Sequence, residues 1–194
     1  MMMLSPVINQ LHRVAFHEAG HAAACARNND CTKILLVTAA AGVDANGMHY
    51  HGKTDIRARP LYNQNQLFAH LEYYIGSIVA EIAFFGSFYG RGAQCDLTFA
   101  HLAAELIVCF LEDDGSQRVE FDFKKRCELP RRLLPEIEER IGQYVMETED
   151  RLFAAYENKN FKDRVGELAL NVYNAEDKTL YGPEIYRILN ERKD

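Results

Sequence analysis

The chain lacks any run of the eighteen or so apolar residues that a membrane-spanning helix needs. Its longest candidate, IGSIVAEIAFFG at 75–86, is shorter and is interrupted by Glu81, so no membrane association is expected. It also lacks an excess of positive charge. Against 28 Asp and Glu stand 22 Lys and Arg, a net −6, which argues against a nucleic-acid partner. The one basic cluster, Lys124-Lys125-Arg126, lies beside Glu120 and Asp122 and reads as a solvated loop. No glycine-rich stretch ends in Lys and Ser or Thr. GSFYGRGAQC at 86–95 has glycines but neither of those closing residues, so ATP binding is not expected. The opening MMMLSPVINQLHR has no basic region followed by an apolar block, so no secretory signal is expected. Cysteines are few: Cys25, Cys31, Cys95, Cys109 and Cys127 form an odd set without paired spacing. Reduced thiols in a cytoplasmic protein are the simplest expectation. No internal repeat or low-complexity tract is present.

What the chain does have is apolar content. Of its 194 residues 48% are hydrophobic, enough for one ordinary domain with a real core. Ser5-Pro6 predicts an N-cap and first helical position, opening a helix that runs to about Arg27 and stops at Asn28-Asn29-Asp30. TKILLVT at 32–38 reads as a strand, and NGMHYH at 46–51 as a turn followed by a second strand or hairpin. From about Asn63 to Phe85 the apolar period is helical, with Leu67, Leu71, Tyr74, Ile75, Ile78 and Ile82 on one broad stripe and Gly86 as the stop. After the glycine-rich loop, a helix is expected from about Asp96 to Leu111. A polar, irregular segment covers 112–133, and helices follow over roughly 134–157, 160–173 and 183–191. The predicted architecture is mainly α with one small β element.

One short segment carries chemistry. In FHEAGHAAACA, residues 16–26, His17 and His21 stand four apart with Glu18 directly after the first. Residues i and i+4 share a helical face, so both imidazoles can point a nitrogen at one ion, as zinc requires. Glu18 is rotated by about 100° and is poorly placed to bind that ion. It can instead take a proton from a water that the ion activates. Gly20 and Ala22 are small, leaving room for another element to pack close to this turn. The plainer alternative is an amphipathic helix with two structural histidines, and a third ligand decides between them.

The remaining residues offer several candidates. Cys25 lies on the histidine face but about 12 Å along the axis from His17, and reads as core. His49 and His51 share one face of the expected second strand. His70 and His101 sit in helical patterns. Asp96, at a loop-to-helix junction, has an ordinary explanation as an N-cap, and spacing alone does not choose between it and Glu81.

Taken in order, AFHEAGHA, VAEIAFFG and GAQCDLTFAHLAAELI resemble the peptidase domain of the FtsH-type ATP-dependent zinc proteases. ERIGQYVMETEDRLFAAYE and LYGPEIYRIL are similar to that domain's C-terminal helices, so the resemblance spans about Gln10 to Leu189. It implies one helical, FtsH-peptidase-like domain over 1–194, with a zinc-binding core (1–111), a flap-like segment (112–133) and C-terminal helices (134–194). Residue by residue it implies that His17, His21 and Asp96 ligate zinc and that Glu18 is the general base. Glu81 is implied to orient a histidine ring from behind, with a reserve role as third ligand. The departures are an absent ATPase and absent membrane segments ahead of the peptidase motif, and a polar flap region where the family's is longer and more apolar.

These readings lead to the expectation of a zinc metalloendopeptidase, hydrolysing peptides or unfolded chains without its own ATPase. An exposed strand near 46–51 is expected to pair with extended substrate. A homo-oligomer and a separate ATPase partner are compatible with the family pattern. The alternative is a non-catalytic, zinc-stabilised interaction module of the same fold. The intact Glu18 speaks against it, since a structural site has no use for a base and is normally closed by four protein ligands.

Overall fold

Two long helices cross at their small residues, and the site is built where they cross. The computed structural model describes residues 6–28, 33–43, 47, 49–57, 61–88, 90–111, 119–120 and 135–190. Helix α1 (Pro6–Arg27) and helix α2 (Gln64–Phe85) are the central pair. A Cβ placed on Gly20 would lie 2.5 Å from the Gly76 carbonyl oxygen, and one on Gly76 would lie 2.6 Å from the Ala24 Cβ. Only glycine at both positions lets the two backbones approach this closely. The apolar faces of the pair feed one core with Ala15, Ala19, Leu67, Leu71 and Val79, all fully buried.

The boundaries of α2 follow from local chemistry. Asn63 caps its start, accepting from Gln66 N while the Gln66 side chain accepts from Asn63 N. Gly86, with φ of 73°, closes the end in the left-handed region. By length and hydropathy α2 would suffice to cross a membrane, but 67% of its most apolar window is buried inside the protein.

Helix α3 (Gly90–Leu106) begins earlier than the sequence predicts and ends in a π-helical turn, Ile107–Leu111. Asp96 is therefore in the body of a helix, and its reading as an N-cap is wrong. One of the glycines that resemble a loop serves close packing instead: a Cβ on Gly92 would stand 3.3 Å from the His17 ring. Helices α4 (Pro135–Glu157), α5 (Lys159–Asn174) and α6 (Gly182–Asn190) complete the helical part within a residue or two of expectation. Of the flap-like segment only Val119–Glu120 is described.

The β part is small and in three pieces. Strands β1 (Ile34–Thr38) and β4 (Lys53–Ile56) pair antiparallel with Val37 opposite Thr54, and β7 (Thr179–Tyr181) joins the other edge of β1. β7 was not expected, because three residues between helices carry no periodicity. Strands β2 (Gly42–Val43) and β3 (His49–Tyr50) form a second antiparallel pair, and β5 (Leu61–Tyr62) with β6 (Val119–Glu120) a third. Cys25 is buried, as expected, but it is disulfide-bonded. The expectation of reduced thiols throughout therefore fails at this position.

Candidate metal centre

α1 presents His17 and His21 one turn apart, and α3 delivers Asp96 to the same point. His17 Nε2 lies 3.0 Å from Asp96 Oδ2, and His21 Nε2 lies 3.4 Å from it. The three ligand atoms fall within 4.8 Å of one another. Two ligands each 2.0–2.1 Å from a tetrahedral zinc stand about 3.3 Å apart. The observed spacings match such an edge, so the residues present fit the ion.

The other ring nitrogens are already engaged, which settles which atoms remain for metal. His17 Nδ1 donates to Glu81 Oε1 at 2.8 Å, and His21 Nδ1 donates to the Tyr73 carbonyl at 2.7 Å. A carbonyl can only accept, so Nδ1 of His21 carries a proton, and Nε2 is the nitrogen directed at Asp96. Glu81 is accordingly behind His17 and not among the converging atoms. Arg13 lies 3.8 Å from its second oxygen. Ser77 Oγ donates to Asp96 Oδ2 at 2.9 Å, fixing the carboxylate on the side facing the histidines.

Burial makes these charges consequential, since His17, Glu18, His21 and Asp96 are only 4% to 9% exposed. Burial alone would lower the His17 pKa, but the hydrogen bonds to Asp96 and Glu81, with the charges of Asp96 and Glu18, raise it to about 10. Burial opposes ionisation of Asp96, yet His21 and the bonds from both histidines hold its carboxyl well below the usual carboxylate range. Glu18 moves the other way. Burial pushes its carboxyl up, against the pull of His21, His17 and the Thr54 hydrogen bond. The two buried carboxylates therefore have oppositely shifted acidities.

The other histidines considered as ligands lie elsewhere. His49 and His51 are exposed at the β2–β3 pair. His101 is exposed on α3 with Nδ1 donating to the Leu97 carbonyl. His70 is buried among the rings of Tyr62, Tyr73 and Tyr74. Sequence reasoning missed Tyr73, Ser77 and Thr54. A signal for the first two existed: Tyr73, Ser77 and Glu81 recur every four residues, a polar stripe on an otherwise apolar helix.

Two buried histidines and an aspartate converging from two helices define a site of the metallohydrolase kind. Residues 7–172 match the family model of peptidase family M41. The chain belongs to that family, whose members are zinc-dependent metallopeptidases with the FtsH peptidase domain. A comparison with curated proteins finds no match.

Proposed function

We propose that this chain is a zinc metalloendopeptidase that hydrolyses peptide bonds of unfolded chains or peptides, by chemistry that itself consumes no ATP. In this reading His17 Nε2, His21 Nε2 and Asp96 Oδ2 hold zinc, and Glu18 is the general base. The observation that carries it is the convergence of three ligand atoms with both remaining ring nitrogens occupied. Zinc supplies Lewis acidity there, drawing a water's pKa toward about 7 and polarising the scissile carbonyl.

The protein's own groups do the rest. Glu18 accepts the proton of the attacking water and returns it to the leaving amine. Glu81 and the Tyr73 carbonyl hold the histidine rings in one tautomer. Ser77 holds Asp96. An extended substrate would align along an exposed strand by main-chain pairing, for which the β2–β3 region is the nearest match to the expected segment 46–51. Folded substrates would require a separate unfolding partner.

The test is cleavage of a fluorogenic peptide library by protein carrying one zinc per chain. Chelation should abolish turnover, and zinc should restore it. His21→Ala should lose metal and activity together, because two remaining ligands hold zinc poorly. A His21→Ala protein that keeps both would overturn the ligand assignment.

A further inference from the structure

Glu18 does not hang free on its helix. Thr54 Oγ1, on β4, lies 2.8 Å from Glu18 Oε2 and 2.9 Å from the Glu18 main-chain carbonyl. Thr54 is buried, so neither contact is diluted by water. A glutamate side chain has three rotatable bonds, and a buried hydrogen-bond donor fixed on a neighbouring strand restricts the rotamers open to it. On its other side the carboxylate faces Gly52. A Cβ there would stand 2.9 Å from Glu18 Oε1 and 2.4 Å from Val14 Cγ1. The bare main chain at Gly52 therefore forms the second wall.

Thr54 is itself held from the metal side. Its carbonyl accepts from the Tyr73 hydroxyl at 2.8 Å. The Tyr73 ring stacks on His21 with centroids 4.5 Å apart, and the Tyr73 carbonyl accepts from His21 Nδ1. A path of direct contacts thus runs from His21 through Tyr73 and Thr54 to Glu18. The single hydroxyl proton of Thr54 is shared by two acceptors of one residue, the main-chain carbonyl and the carboxylate of Glu18, so the hydroxyl ties that carboxylate to its own main chain.

We infer that Thr54 is a positioning residue, whose hydroxyl holds the Glu18 carboxylate in the one orientation that proton transfer requires, with Tyr73 referencing that hold to His21. The inference rests on the reading of Glu18 as general base. Thr54 is not among the converging ligand residues and acts only through Glu18. Its removal therefore acts on turnover and leaves the ion in place.

The experiment uses the full chain loaded with zinc, in Thr54→Val, Thr54→Ala and Thr54→Ser forms. Measured are kcat and KM on a fluorogenic peptide, zinc per chain, melting temperature and the crystal structure of Thr54→Val. Thr54→Val keeps shape and strand preference but deletes the hydroxyl. It is expected to lower kcat by about 10–100-fold, the scale of a misplaced group, with KM and zinc content unchanged. Thr54→Ser, which restores the hydroxyl, is expected to recover most of the loss. In the Thr54→Val crystal structure the Glu18 carboxylate should leave its place beside Gly52. If Thr54→Val does not fold, the same kinetic loss and the same displacement are required of Thr54→Ala. Unchanged kcat with only a lowered melting temperature overturns the inference while leaving the peptidase reading intact. If even the wild type cleaves no peptide, that reading fails, and the crystal structure alone decides the positioning role. A Glu18 carboxylate found unmoved then overturns it.

Discussion

Gly20→Ala should damage both fold and site, and the size of the damage follows from the helix crossing. The new Cβ would stand 2.5 Å from the Ala80 Cβ, 2.5 Å from the Gly76 oxygen and 2.9 Å from the Ser77 Cα. Two of the three obstacles are main-chain atoms, which no rotamer change removes. To restore ordinary contact, α1 and α2 must part by about 1 Å, an overpacking that costs about 1–3 kcal/mol. The high end applies here, and alanine's better helix propensity returns about 1 kcal/mol. The net loss is about 2 kcal/mol, or about 4–8 °C in melting temperature at this chain length. Gly142→Ala on α4 is the control, since a Cβ there meets nothing within 4 Å. It should gain about 1 kcal/mol and melt about 2–4 °C higher. Because α1 carries both histidines and α2 carries Tyr73 and Glu81, Gly20→Ala should also weaken zinc binding. Thermal unfolding followed by circular dichroism reads the first effect, and competitive titration with a zinc chelator reads the second. A Gly20→Ala protein melting at or above wild type, beside a Gly142→Ala protein that behaves as stated, would refute the close-crossing argument.

Two further outcomes follow from the site. Glu81→Gln removes the charge behind His17 and should lower zinc affinity by about 10–100-fold, as loss of such a partner does elsewhere; an unchanged affinity would mean that Glu81 only fills space. Zinc affinity should also rise with pH. Until metal enters, His17 holds its proton up to about pH 10, so binding must expel that proton, and affinity climbs up to tenfold per unit between about pH 6 and about pH 9. Titrations that show no pH dependence across that window would contradict the hydrogen-bonded arrangement of His17, Asp96 and Glu81.

How much of this was legible in the sequence depended on how local the determining chemistry is. The apolar period from Asn63 and the stop at Gly86 marked both ends of α2 to within a residue, because helical periodicity and a left-handed glycine are local features. The pairing of His17 with His21 was legible for the same reason. Asp96 was not. Its role depends on α3 packing against α2, which brings Asp96 beside the histidines of α1, and spacing left it level with Glu81 until resemblance to the family separated them. The start of α3 was misread because Gly90 and Gly92 look like loop glycines, whereas Gly92 accommodates the His17 ring. Thr54 carried no signal at all. A threonine in a four-residue strand is ordinary, and only the fold brings it to Glu18. β7 was equally silent, since its pairing with β1 joins positions some 140 residues apart, Thr38 with Thr179.

The central claim is that Glu18 performs the proton transfer at a site whose metal it does not hold. Peptide cleavage by wild-type and Glu18→Gln protein, each with its zinc quantified, tests that most directly. The account predicts equal zinc in both proteins and turnover lower in Glu18→Gln by at least about 10²–10⁴-fold. Equal turnover in the two proteins, or a fully zinc-loaded wild type that cleaves no peptide, would contradict it.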